Sequence, residues 1–206
     1  LKDNRQPQAI PVEGVKYTGI RSIDADVCKL YGIQIQTGPN GEDVRYAFKY
    51  PHTTKYRMCN DKSKSWIKDR GVGMNHLFGP EFNAGTGKRI YITEGEFDAA
   101  SLYQILGKTF PVKSLPSSSI GEKFIKYLSS FREVVYAGEL DDPGRRAANK
   151  LYQAFPEKFY FVPMTEFKDA NEFLEKGKGT SLMWAAKSPQ RYSPENFFCS
   201  ADDFTH

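Results

Sequence analysis

RIYITEGEFDAASLYQ, residues 89–104, decides the fold of this chain, and VVYAGELDDPGRRAA, residues 134–148, answers it. Each is an apolar run that ends in carboxylates and turns straight into a helical pattern. Glu94 closes the first run, and Glu139 and Asp141 close the second. In an open parallel sheet the functional crevice lies beyond the carboxyl ends of the strands. Three acids delivered to that edge repel one another unless a cation neutralises them. All-oxygen donors suit a hard cation such as magnesium better than a soft metal. Such a cage points to work on phosphates.

The rhythm around these two runs is strictly alternating. RIYITE precedes the helical pattern FDAASLYQIL, PVKSLP precedes GEKFIKYLSSF, and EVVYAGE precedes PGRRAANKLYQAF. KFYFVPM then precedes DANEFLEKG. Strand–helix alternation predicts a parallel sheet with helices on both faces. Pro143 stands at a favourable first-turn position of its helix, and Asp142 just before it suits an N-cap. The Ser117-Ser118-Ser119 loop either caps the next helix or receives a phosphate at its N-terminus.

Upstream the pattern differs. Residues 1–14 read as a polar lead-in strap. A short helix follows, with Ile23, Val27, Leu30 and Tyr31 on one face and Gly32 as its stop. IQIQTGPNGEDVRYAFKY reads as a hairpin turning at Pro39-Asn40-Gly41, and KYRMCNDKSKSWIKDR as one or two more strands with a basic loop. The expected organisation is a small α+β amino-terminal subdomain over 1–88, a parallel-sheet α/β domain over 89–180, and a linker over 181–206 toward something further on.

Charge follows this division. Residues 1–88 carry 14 Lys and Arg against 9 Asp and Glu, while 89–206 carry 15 against 16. A basic front half and a carboxylate-bearing back half suit a protein that grips a polyanion with one part and a cation with the other. The segment from Lys55 to Arg70 concentrates the excess in Lys55, Arg57, Lys62, Lys64, Lys68 and Arg70. Its Trp66 and Tyr56 either stack a base or serve as core and rim. Cys28, Cys59 and Cys199 lack zinc spacing and fit a reducing compartment. No apolar run of 18 residues is present, so no membrane-spanning helix or membrane partner is expected. Leu1 is not an initiator Met, so the chain reads as an excised fragment.

Three separated motifs carry a family resemblance: Glu94-Gly95-Glu96-Phe97-Asp98, Glu139-Leu140-Asp141-Asp142-Pro143-Gly144-Arg145, and Lys168-Asp169-Ala170-Asn171. Together they resemble the TOPRIM domain of primases and topoisomerases. GIRSIDADVCKLYGI, NDKSKSW and the LFG of residues 77–79 are similar to the RNA-polymerase domain of phage primase–helicases of the coliphage T7 type. The resemblance spans roughly residues 15–176. It implies a DNA-dependent RNA primase core, a nucleotidyltransferase that joins ribonucleoside triphosphates into short primers on single-stranded DNA with magnesium, or manganese in its place. Glu94, Asp98, Glu139 and Asp141 match the catalytic acids. Glu94, Glu139, Asp141 and Asp169 are the implied metal set. Lys62, Lys64, Arg57 and, more weakly, His76 are expected on the nucleotide side, and Arg21, Lys55, Lys68 and Arg70 on the DNA side.

The same resemblance implies partners: a replicative helicase domain in the same polypeptide, a zinc-binding module and the DNA polymerase that receives the primer. The expected place is the host cytoplasm for a phage protein, or an organelle matrix for a eukaryotic homologue. Two departures stand out. The family pair is Asp-x-Asp, whereas Glu139 carries one extra methylene. No zinc site is present in this stretch, and GTGK at residues 85–88 is no Walker A loop, because position 82 is Phe and position 89 Arg. Two other readings follow. A relative with weakened catalysis would be a DNA-binding appendage of a helicase. A TOPRIM nuclease would cut DNA in magnesium without nucleotides.

Overall fold

The computed structural model describes residues 11–61, 64–67, 76–82, 89–116, 120–139 and 141–194. The chain divides into two compact units, one comprising residues up to 20 and 24–72, the other 21–23 and 73 onward.

The first unit is an antiparallel sheet with one helix. β1 (Gly14–Lys16), α1 (Ala25–Tyr31), β2 (Ile33–Thr37), β3 (Asp43–Lys49), β4 (Thr54–Met58) and β5 (Ser65–Ile67) follow in chain order, and the strands lie in that same order across the sheet. The helix ends where expected, because Gly32 takes φ 66° and its N–H closes on the carbonyls of Cys28 and Lys29. The hairpin between β2 and β3 turns through Gly41 at φ 78°. Val27, Cys28 and Tyr31 of the helix are buried, as are Ile33, Ile35 and Phe48 of the sheet. Each such apolar side chain contributes roughly 1.5–3 kcal/mol on burial. β1 begins at Gly14, the last residue of the stretch expected as a strap, and pairs with β2 in register Val15–Gln36.

The second unit holds β6 (Arg89–Thr93), α2 (Glu96–Ile105), β7 (Val112–Ser114), α3 (Glu122–Ser129), β8 (Glu133–Tyr136), α4 (Asp142–Ala154), β9 (Phe159–Phe161), α5 (Ala170–Glu175), α6 (Gly179–Lys187) and β10 (Gln190–Arg191). The sheet order is β10-β9-β8-β6-β7. β6, β7, β8 and β9 pair in parallel, as the alternation predicted. Ile90, Ile92, Val134, Phe159 and Leu151 of α4 form its core.

Residues 181–192, expected within a linker, are instead part of this unit. β10 adds an antiparallel edge to β9. Leu182, Ala186 and Tyr192 are buried, and the Tyr192 hydroxyl donates to Asn149 Oδ1 at 2.5 Å. The apolar residues Leu182–Ala186 form one unbroken run, which shows no helical or strand period by itself. Only burial against the sheet defines the helix and strand here.

Candidate active site

Glu94 follows β6, and Glu139 and Asp141 follow β8, the strand beside it. Parallel pairing sets Ile92 level with Tyr136, so both chains leave the sheet at one edge. Asp98 lies in the first turn of α2, and Asp169 caps α5 by accepting from the Glu172 N–H at 2.8 Å. The five acids act on one another. Burial raises the Glu94 carboxyl above its ordinary range and Asp141 adds to this, while hydrogen bonds from Tyr136 and the Glu139 N–H oppose it. Glu139 is raised by burial, then by Asp141 and Glu94, with Lys168 opposing. Asp98 keeps some exposed surface as a residue, yet its carboxyl is shut in. Burial and then Asp169 push it up to about 7, against the Asn171 N–H that donates to its Oδ1 at 3.2 Å.

Asp141, not Asp142, is the N-cap of α4, and its Oδ1 accepts from the Gly144 N–H at 2.9 Å. Asp142 is exposed and pairs with Arg145 one turn along. Pro143 therefore falls at the second helical position, which moves the cap one residue upstream of where the Asp-Pro step placed it. Beside the acids, Glu139, Asp141, Met164, Thr165, Glu166, Phe167 and Lys168 line an open cleft of about 370 Å³.

The donor set fits a hard cation in kind, because its donors are carboxylate oxygens and the acids outnumber the one lysine beside them, Lys168, which meets Asp169 at 3.9 Å. It is not a finished coordination shell. Among the described residues no three acids, histidines or cysteines converge closely enough to ligate one ion. Glu94 Oε1 is taken by Tyr136 and Asp141 Oδ1 by the start of α4.

Arg21 belongs to this second unit. Its guanidinium meets Glu175 at 3.0 Å and lies 5.2 Å from the centre of the Phe97 ring. Arg21 and Ser22 hold the left-handed φ values 48° and 62°. Their carbonyls accept from Asn171 Nδ2 and Gln104 Nε2. Its place is thus a packed anchor of residues 21–23, not the template-side subdomain expected for it.

Of the basic residues, Lys55 and Arg57 lie on β4, and Arg57 stands near the rings of Tyr46 and Phe48. Lys64 pairs with Asp61 at 3.3 Å. Lys62, Lys68 and Arg70 lie outside the described residues, as do Ser117–Ser119. His76 is half-buried in the second unit, just ahead of Phe78, whose backbone pairs with Ser114. Trp66 and Tyr56 form a cross-strand pair at 5.4 Å, with Arg45 4.4 Å from the Tyr56 ring centre.

Sequence reasoning missed Tyr136, Gly138 and Gly144, which enclose Glu94. It also missed Lys113, a buried lysine on β7 that meets Glu81 at 3.1 Å and whose pKa burial lowers. Tyr136 reads as one more apolar strand residue, and only the fold reveals its hydroxyl's partner. The two glycines stood within the quoted stretch 134–148, and a glycine beside a candidate site acid signals close approach.

Residues 91–174 match the Toprim-like family. The match covers the strand-helix alternation and all five acids. The DNA helicase/primase of Enterobacteria phage T3 is 29% identical over 132 residues, 62% of this chain. Those residues span only 23% of that protein's length. The primase fragment of the bacteriophage T7 primase-helicase superposes with a TM-score of 0.67 at 22% identity, covering 88% of this chain and 81% of that one. A DnaG primase catalytic domain bound to single-stranded DNA gives 0.64 at 15% identity, covering 82% and 69%. The Toprim fold and its preceding α+β unit are thus shared with primase catalytic fragments. No described helix is long and apolar enough to cross a membrane.

Proposed function

We propose that this chain is the RNA-polymerase core of a phage-type primase, joining ribonucleotides into short primers on single-stranded DNA. One observation carries the reading: five carboxylates of the Toprim unit gather at one sheet edge, where burial and neighbouring acids raise the pKa of Glu94, Asp98 and Glu139. The phage T3 relative and the shared fold support it. Magnesium, with manganese as a substitute, would be held by Glu139 and Asp141 with Glu94 and Asp169 beside them. When bound it would neutralise the triphosphate and polarise the phosphoryl group under attack. Glu94 would orient a second metal or take the proton of the primer 3′-hydroxyl, a task its raised pKa suits. Asp98, held on the Asn171 N–H, supports the arrangement from α2.

Arg57, Lys62, Lys64 and His76 are proposed on the nucleotide side, each lysine acting as a point charge on phosphate. Lys55, Lys68 and Arg70 are proposed to track the template, which places the 1–88 region on that side and the Toprim region at the metals. For Arg21 the Glu175 pair makes an anchoring role the stronger reading. A helicase domain in the same polypeptide, a zinc-binding module, a DNA polymerase and a cytoplasmic setting complete the proposal.

The test is incubation with single-stranded DNA of varied sequence, labelled ribonucleotides and magnesium, with products resolved by size. Short RNAs that require template and metal are expected. Cleaved DNA without nucleotides would mark a nuclease instead. A second reading, a helicase appendage with weakened catalysis, is favoured by the lack of three converging ligands among the described residues. It predicts DNA binding with no RNA product.

A further inference from the structure

Tyr136 ends β8, 1% exposed among Ile92, Leu115 and Phe161 of the core cluster. A buried phenol needs a partner for its hydroxyl, and this one donates to Glu94 Oε1. The space around that bond is kept clear by two missing side chains. A Cβ on Gly138 would stand 2.4 Å from the Tyr136 hydroxyl and 2.8 Å from Glu94 Oε1. A Cβ on Gly144 would stand 2.8 Å from the same oxygen and 2.0 Å from the Glu139 carbonyl. Neither glycine has a positive φ, so room and not backbone freedom explains them. The Glu139 N–H also donates to Glu94. One strand end and the turn after it thus hold the acid that the neighbouring strand delivers.

We propose that Tyr136 is a positioning residue for Glu94: its hydroxyl occupies Oε1 inside a slot walled by Gly138 and Gly144, so Glu94 works through its other oxygen. This rests on the polymerase reading of the acidic edge. A carboxylate fixed at one oxygen presents the other in one direction, which favours the reacting geometry over mere binding. The loss of that bond should therefore appear in kcat and not in the affinity for nucleotides.

Tyr136→Phe in the whole chain keeps the ring in the core and removes only the hydroxyl. Primer synthesis should show kcat lowered about tenfold with nucleotide KM within about twofold of wild type. Gly138→Ala, which keeps the hydroxyl but sets a methyl against both it and Glu94 Oε1 and so forces the pair apart, should give the same split. The 13C carboxyl resonance of Glu94, read by NMR, should move in Tyr136→Phe. Unchanged kcat in both variants overturns the proposal, as does a rise in KM with kcat intact. A wild type that makes no RNA overturns the polymerase reading and the catalytic half of this proposal with it. In that event the NMR arm still decides the pairing, and an unmoved Glu94 resonance overturns that as well.

Discussion

The two sheets of this protein treat charge in opposite ways. On the antiparallel sheet several cations have acidic, amide or aromatic partners. Lys16 pairs with Asp43, Arg45 meets Gln36 at 2.6 Å and two aromatic rings, and Lys64 pairs with Asp61. At the parallel sheet's edge the acids face mainly other acids, and burial and neighbours hold several above their ordinary pKa. A partnered charge serves packing, whereas a cluster of like charges that the fold maintains against repulsion serves a ligand. That difference is the reason for proposing the chemistry at the end of β6 and β8, despite the front half's larger share of basic residues.

The sharpest way to break this contrast is Asp141→Asn. Asparagine caps a helix about as well as aspartate, so α4 should keep its start and the melting temperature should hardly move. Primer synthesis should fall by more than about 100-fold, because a hard cation loses a charged ligand. Near-normal synthesis at limiting magnesium would reduce Asp141 to a cap. The alanine variant is the poorer test, since it also removes the cap at roughly 1 kcal/mol.

A second, smaller effect follows from Asp98. Its carboxyl titrates at about 7 in the fold against an ordinary 3.8, so the native state holds a proton that the unfolded chain has released between those values. In chelator, stability should therefore fall as pH rises from about 4 to about 7, by on the order of a few kcal/mol at most. Glu94 and Glu139, raised as well, act in the same direction. Asp98→Asn should flatten this decline, as thermal melts across that range would show. A wild type that gains stability over the same range would contradict the enclosed, acid-crowded setting.

The antiparallel sheet offers the converse test. Arg45→Met should lose the contacts to Tyr56 and Trp66, about 1 kcal/mol, and leave metal binding unaltered. A large loss of nucleotide use with unchanged stability would show that Arg45 does more than pack. Smallest of all is Asp142→Asn. This exposed acid, whose pKa its Arg145 hydrogen bond lowers, should change neither the melting temperature nor metal affinity measurably. Any marked loss of metal affinity would move the site one residue along the chain.

Much of this was legible in the residues. The β6–α2 and β8–α4 steps show because an apolar run, an acid and a helix-start signal follow one another without a gap. The Gly32 stop and the Gly41 turn show for the same local reason. β1 and β10 did not, being three and two residues long and defined by the strands they pair with. The five acids were readable as types at spacings. Their partners were not: the Asp141 cap, the Arg21–Glu175 pair and the Tyr136–Glu94 bond join residues whose meeting depends on the turn geometry or on the whole fold. Glu139 in place of aspartate was plain in the sequence. That its backbone N–H also serves Glu94 was not.

The central claim is that the carboxylates of the Toprim edge form one cation site. Titration of the protein with Mn²⁺, followed by electron paramagnetic resonance of the unbound ion, measures this without reference to catalysis. Saturable binding to the wild type is expected, weakened at least tenfold in both Glu139→Gln and Asp141→Asn and untouched in Asp142→Asn. A wild type that binds no Mn²⁺, or binds it equally well after both substitutions, would contradict the account.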